Sequence, residues 1–117
     1  MASSDARAES FLPLTPAVFH LLLALADGPR HGYAIAKAVA AHTSEAIRLG
    51  PGTLYGTLTR MAEAGLVREP ARLSRENDRR RTYELTPLGR AAAKAEARRL
   101  AELVSVARGK SLLGRAR

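Results

Sequence analysis

Two groups of side chains in this 117-residue chain have the types and spacing to do chemistry. The first follows Gly50-Pro51-Gly52 and runs Thr53-Leu54-Tyr55-Gly56-Thr57-Leu58-Thr59-Arg60. Leu54, Leu58, Met61 and Ala62 recur at helical spacing and mark one apolar face. With Leu58 turned to a core, Thr53, Gly56 and Arg60 point the other way, and Thr57 and Thr59 lie on the flanks. Small residues let the backbone of such a helix come close to a partner. Threonine hydroxyls can bond bases or phosphates, and an arginine one turn on can fork onto a guanine edge. Gly52 stands where the unpaired N–H groups of the helix start can receive a phosphate. The plain alternative is an ordinary amphipathic helix with a polar outer face.

The second group is Arg72, Arg75, Arg79, Arg80 and Arg81, five cations within ten residues. Arginines at this density lie along a phosphate backbone or enter a minor groove. Glu76 and Asp78 dilute the charge, so an exposed charged loop is the alternative here.

Catalytic and cofactor chemistry finds no comparable footing. His20, His31 and His42 are spaced by 11 and form no i, i+4 ligand pair, and there is no HExxH. His20 reads as structural or near a subunit contact. Gly50, Gly52 and Gly56 do not have the GxGxxG spacing, no strand precedes them and no P-loop lysine follows. The acidic residues are scattered. Without cysteine there is no disulfide scaffold, thiolate metal site or cysteine nucleophile. The expectation is a protein that is not an enzyme and carries no cofactor and no metal.

The charge is uneven. Residues 1–59 carry four basic and four acidic side chains, and residues 60–117 carry 15 and 7, so the net +8 lies wholly in the second half. A basic surface confined to one part of a small chain suits a polyanion partner. Met1–Ser10 has no apolar run of a secretory signal, and Leu21–Ala26 is far short of the roughly 20 residues of a membrane span. The expected location is the cytoplasm, away from any membrane.

The elements that must position these groups follow from the patterning. Residues 1–10 read as a flexible tail. Thr15-Pro16 is an N-cap followed by proline at the first helical position. Val18, Leu21, Leu22 and Leu25 then trace a helix, which Asp27-Gly28-Pro29 ends. Phe19, Leu23 and Ala26 give it a second apolar stripe, so it is either central or shared with another subunit. A second helix is expected over 31–42, a loop over 43–50 and a third helix over 53–64, closed by Gly65 in a left-handed cap. Leu66–Ala71 and Arg80–Thr86 read as the strands of a hairpin with a long tip. Tyr83 and Leu85 alternate against Thr82 and Glu84. Thr86-Pro87 repeats the cap-and-proline start, and the last helix runs to about Arg108, with a seam of Ala93, Ala97, Leu100, Leu103, Val104 and Ala107.

Three helices, a hairpin and a helix make a mainly α fold with a small β-hairpin. That is the winged helix-turn-helix order: a DNA-binding domain over 11–86, a dimerisation helix over 87–108 and a basic tail over 109–117. The third helix is then the reader and the Arg-rich hairpin the wing.

Several short motifs in register carry a resemblance over about residues 14–90. They are Leu22-Leu23-Ala24-Leu25, Gly28-Pro29-Arg30-His31-Gly32-Tyr33-Ala34-Ile35, Gly52-Thr53-Leu54-Tyr55, Leu58, Arg60-Met61, Gly65-Leu66-Val67, and Tyr83-Glu84-Leu85-Thr86-Pro87-Leu88-Gly89-Arg90. With these the chain resembles the short PadR-like transcriptional regulators of bacteria. The resemblance implies a homodimeric winged-helix repressor in which Tyr33, Thr53 and Tyr55 belong to the DNA-facing set. Tyr55 equally suits packing at the core edge, Tyr83 packing beneath the wing, and Gly32 close helix approach. The chain departs from the family at Gly56, where proline is frequent, and at Ala62, where glutamate is common. It also lacks the tryptophan that some relatives place in the last helix to stack planar drugs.

The expected reading is a sequence-specific regulator of double-stranded DNA with a pseudo-palindromic operator. The expected DNA-facing set is Tyr33, Gly52, Thr53, Tyr55, Gly56, Thr57, Arg60, Arg75, Arg79, Arg80 and Arg81. The expected dimer contacts are Phe19 and Leu23 with the seam of the last helix. A small-molecule or protein effector would act by shifting the spacing of the two readers, and no residue marks its site. A winged-helix protein adaptor is the alternative, with structured RNA a third.

Overall fold

Thr15 fixes the entry to the first long helix as the sequence requires. In the computed structural model, which describes residues 4–70 and 81–114, its side-chain oxygen accepts the Val18 N–H at 3.3 Å and Pro16 takes the first helical position. The described elements are α1 (Ser4–Glu9), α2 (Pro16–Ala24), β1 (Arg30–His31), α3 (Gly32–His42), α4 (Pro51–Glu63), β2 (Val67–Arg68), β3 (Thr82–Leu85) and α5 (Pro87–Gly109). The helices expected from the patterning are α2 to α5, and this mainly helical fold with a small antiparallel sheet is the one anticipated.

Leu21, Leu22 and Leu25 meet Ile35 and Val39 of α3 and Leu54, Leu58 and Met61 of α4 in one core. Each of these side chains is almost wholly withdrawn from water, worth about 1.5–3 kcal/mol apiece in transfer terms. Gly65 ends α4 at φ +86°, a conformation that glycine adopts without steric cost. Thr86 then caps α5, accepting the Gly89 N–H at 2.9 Å and donating to the Gly65 carbonyl at 2.5 Å, which ties the two helix ends together.

The structure departs from the sequence reading at three places. First, Ser4–Glu9 form a helix against α5 where the polar composition suggested a tail. The anchor is Ala8, 1% exposed, a contact too small to register as a hydrophobic pattern. Second, the sheet has three strands, in the order β1-β3-β2. Arg30 and His31 pair with Tyr83 and Thr82, and a two-residue strand shows no period. Third, the strand alternation breaks at Thr82. It is buried beside Tyr83 because its hydroxyl lies 2.8 Å from His31 Nδ1, a partner supplied by the unforeseen strand. The strand expected over 66–71 is short, with Pro70 beyond it unable to donate to a ladder.

Two polar contacts are made by the helices. Glu96 of α5 is buried and accepts from Arg99 Nε and Nη2 at 2.8 Å each. On another face, His20 Nδ1 and His42 Nε2 lie 3.1 Å apart and join α2 to α3. The hydrogen bond from Arg99 first, and the nearby charge and Leu14 N–H after it, outweigh burial and hold the Glu96 carboxyl below its ordinary 4.5. Burial first, then His20, holds His42 below its ordinary 6.5.

In both cases the unfolded chain takes up the proton first as pH falls, so stability is lost on acidification. Thermal melts should therefore show two arms. A shallow one begins near pH 6.5 and is removed by His42→Gln. A steeper one begins near pH 4.5 and is removed by Glu96→Gln. Glu96→Ala, which removes the acceptor of both Arg99 donors, should cost about 2 kcal/mol at neutral pH by urea unfolding.

Candidate nucleic-acid interface

The buried stripe of α4 decides which side chains it can present. Leu54, Thr57, Leu58 and Met61 face inward at i, i+3, i+4 and i+7. Thr57 is only 4% exposed, so it is a core residue and not the groove-flanking group the helical wheel suggested. Its place in the stripe explains this: threonine has the shape of valine, and its hydroxyl oxygen accepts from Arg60 Nη2 at 3.4 Å. Thr59 spends its hydroxyl on the Tyr55 carbonyl at 2.8 Å.

Gly52, Thr53 and Arg60 are exposed and Gly56 half-exposed, on the side away from the core. A Cβ at Gly52 would meet nothing within 4 Å, and one at Gly56 only the Arg60 guanidinium at 3.8 Å. The glycines are thus not demanded by internal packing. They keep the outer surface of the helix low, which suits close approach by a partner. Gly50 caps α4 without a side-chain bond, leaving its first N–H groups free for an external acceptor.

Tyr55 joins α4 to α3. Its ring and hydroxyl lie where a Cβ of Gly32 would stand, so Gly32 permits the close approach of the two helices. Tyr55 keeps 39% of its surface exposed, so it both packs and faces outward. Tyr33, next to Gly32, is 68% exposed, with Lys37 Nζ 5.6 Å from its ring centroid. Lys37 escaped the sequence reading, although its i+4 spacing from Tyr33 on a helix was visible. Arg48, in the loop before α4, escaped as well. It lines a depression with Tyr33 and Lys37 and pairs with Glu45 at 3.0 Å.

The wing stem closes the surface. The Gly32 N–H donates to the Arg81 carbonyl at 3.3 Å, setting Arg81 beside the start of α3. Its side chain donates from Nε and Nη2 to Glu69 Oε2, at 3.1 and 2.5 Å, and lies 5.9 Å from the Tyr83 ring. Tyr83 is buried beneath the wing stem, as expected, and burial raises its phenol above the ordinary value. Tyr33, Tyr55, Arg81 and the outer side of α4 are thus brought to one surface. Arg72, Arg75, Arg79 and Arg80 lie outside the described residues. Among the described residues no group of three or more metal-ligating side chains gathers, and no helix is long and apolar enough to cross a membrane.

The model of the transcriptional regulator PadR-like family matches residues 21–95, a span that includes α3, α4, the sheet and the start of α5. The chain belongs to the PadR-like family. It is therefore a transcriptional regulator by family, not an enzyme. This PadR-like protein is 38% identical to the transcriptional regulator Rv3488 of Mycobacterium tuberculosis over 84 residues, 72% of this chain and 75% of the relative. It is 46% identical over 83 residues to an uncharacterised 37.1 kDa protein of a Streptomyces fradiae transposon, a match spanning 71% of this chain but 22% of that longer protein. Among solved structures it is similar to a transcriptional regulator from Clostridium thermocellum, with TM-score 0.66, 25% identity and coverage of 94% and 97% of the two chains. RosR of H. salinarum shares the fold at TM-score 0.62 and 24% identity, over 88% of this chain and 99% of RosR.

Gly32→Ala should force Tyr55 out of its place. Overpacking costs about 1–3 kcal/mol, partly offset by about 0.5–1 kcal/mol from replacing a helical glycine. Urea unfolding should show net destabilisation that Tyr55→Ala in the same chain partly relieves.

Proposed function

We propose that this PadR-like regulator is a homodimeric, sequence-specific DNA-binding repressor. The observation that carries the reading is the outer side of α4. It is low and polar at Gly52, Thr53 and Gly56, armed with Arg60, and set opposite a fully buried stripe. Such a helix enters a major groove with its N-terminal half at the base edges. Arg60 and Thr53 read bases there, and Tyr33, Tyr55 and Arg81 hold the flanking backbone. The wing arginines 75, 79 and 80 add phosphate or minor-groove contacts. Residues 11–86 form the DNA-binding unit, 87–108 the dimerisation helix and 109–117 a basic extension, in a cytoplasmic protein without a cofactor.

Support for the dimer comes from α5. Leu88, Ala92, Ala95 and Glu96 bury one side of its first half against the body. The same side continues as Leu103 and Val106, which are 52% and 54% exposed. Of the expected seam, Ala93, Leu100 and Ala107 are half-buried, while Ala97, Leu103 and Val104 are exposed. Val106 was not foreseen in it. On α2, Leu23 is exposed and lines a groove of about 680 Å³ with alanines of α3, and Phe19 is half-buried nearby in the chain. A second copy covering these residues would supply the burial that a chain of this size lacks. Two readers related by a two-fold axis then meet half-sites about one helical turn apart.

Fluorescence anisotropy on the duplex upstream of its own gene tests the reading. Arg60→Gln should cost about 1–3 kcal/mol on the preferred site, and Thr53→Ala should change which base is preferred. Unchanged specificity in both variants would remove α4 as the reader. Loss of neither affinity nor salt dependence on neutralising Arg79, Arg80 and Arg81 together would favour a protein adaptor. Leu103→Asp places a charge on an exposed side chain, so the fold should survive while sedimentation shows monomer. A surviving dimer would put the interface elsewhere.

A further inference from the structure

The described arginines around the reader are not equally available. Arg48 is held by Glu45 at 3.0 Å, Arg68 by Glu84 at 2.9 Å and Arg81 by Glu69 at 2.5 Å, whereas among the described residues Arg60 reaches only the Thr57 hydroxyl, at 3.4 Å. The two pairs of the wing stem differ in where they face. Arg68 and Glu84 are direct cross-strand partners, and Val67 pairs with Leu85. Successive strand residues alternate between the two faces. Arg81, just before β3, lies over the Tyr83 ring, and Glu69, just after β2, is bound to it there. This is the side toward α3 and α4, because the Arg81 carbonyl accepts from the Gly32 N–H and Gly32 lies against the Tyr55 ring. Arg68 and Glu84 occupy the opposite face. The Glu69–Arg81 pair thus stands between the wing and the reading helix, with the Arg81 main chain fixed by Gly32.

We propose that Glu69 is an internal stand-in for a DNA phosphate, a specificity-determining residue that occupies Arg81 until a backbone phosphate is delivered to the same place. The proposal rests on the DNA-facing reading of α4 and deepens it. Both Arg81 donors converge on one carboxylate oxygen, the arrangement a phosphate oxygen can take over. Both side chains are about half-exposed, at 62% and 49%, so the pair is weak enough to exchange. An ill-fitting duplex leaves Arg81 neutralised by Glu69, so that arginine adds no phosphate contact. A duplex seated by α4 brings a phosphate to Arg81 and displaces Glu69 toward water. The carboxylate thereby weakens indiscriminate binding more than it weakens the seated complex.

The test is anisotropy of the full chain on a random-sequence duplex across a salt series, comparing wild type, Glu69→Gln, Glu84→Gln, Arg81→Gln and the Glu69→Gln/Arg81→Gln double variant. One added phosphate contact steepens the log–log salt slope by about 0.9. Glu69→Gln should steepen it by about that much and tighten binding about threefold or more at low salt. Glu84→Gln, with the same charge change on the far face, should do less than half as much. In the Arg81→Gln chain, Glu69→Gln should lose most of its effect, because the glutamate acts through that arginine. Equal effects of Glu69→Gln and Glu84→Gln would reduce the phenomenon to net charge and overturn the proposal. Weaker binding by Glu69→Gln would make Glu69 only a support for Arg81, with the same consequence. If wild type binds duplex and Glu69→Gln is unchanged, this proposal fails alone. If neither binds any duplex, the DNA-facing reading fails and takes the proposal with it.

Discussion

Everything on the proposed reading surface depends on the burial of one stripe of α4. Leu54, Leu58 and Met61, with Thr57 among them, sink into the leucines of α2 and the Ile35–Val39 ridge of α3. Because the helix turns about 100° per residue, fixing that stripe fixes what lies opposite. Gly52, Thr53, Gly56 and Arg60 have no other place to go than outward. Gly32 sharpens the arrangement, since only a residue without a side chain lets Tyr55 come down on the start of α3. The same glycine receives the wing through its hydrogen bond to Arg81. One helix face and one glycine therefore set the relation between reader, supporting helix and wing stem.

The last helix has a different logic. Its first half is a wall of the domain, held by the Thr86 cap, Leu88, Ala92 and the buried Glu96 that binds Arg99. Its second half outruns the body, and the side that was core becomes surface at Leu103 and Val106. A face that changes from buried to exposed without changing its apolar character is suited to a second copy of the chain. The two proposed roles thus fall on different parts of the chain, reading on residues near the middle and assembly on the C-terminal helix.

Most of the fold is legible in the sequence. Helix starts at Thr15-Pro16 and Thr86-Pro87, the left-handed Gly65 and the apolar spacings all announce themselves by local chemistry, and the family motifs lie in register. What escaped was set by contacts between distant residues. The strand Arg30–His31 exists only because Thr82 and Tyr83 come alongside it, and that same pairing buries Thr82 against the alternation. The helix over 4–9 depends on Ala8 finding α5, which no periodicity reports. Thr57 was misplaced because a wheel centred on Leu58 puts its i−1 neighbour, about 100° away, on the half-exposed flank, whereas the core extends over it. Pairing was invisible too. The sequence shows Arg81 as a free cation, and only the register of β2 with β3 gives it to Glu69.

Selection from a random duplex pool tests the central claim most directly, because it asks the reading surface and the dimer to act together. The account predicts enrichment of an inverted repeat whose half-sites are centred about 10 base pairs apart. A pool that enriches no motif would contradict reading by α4, and a single unpaired half-site would contradict the paired readers.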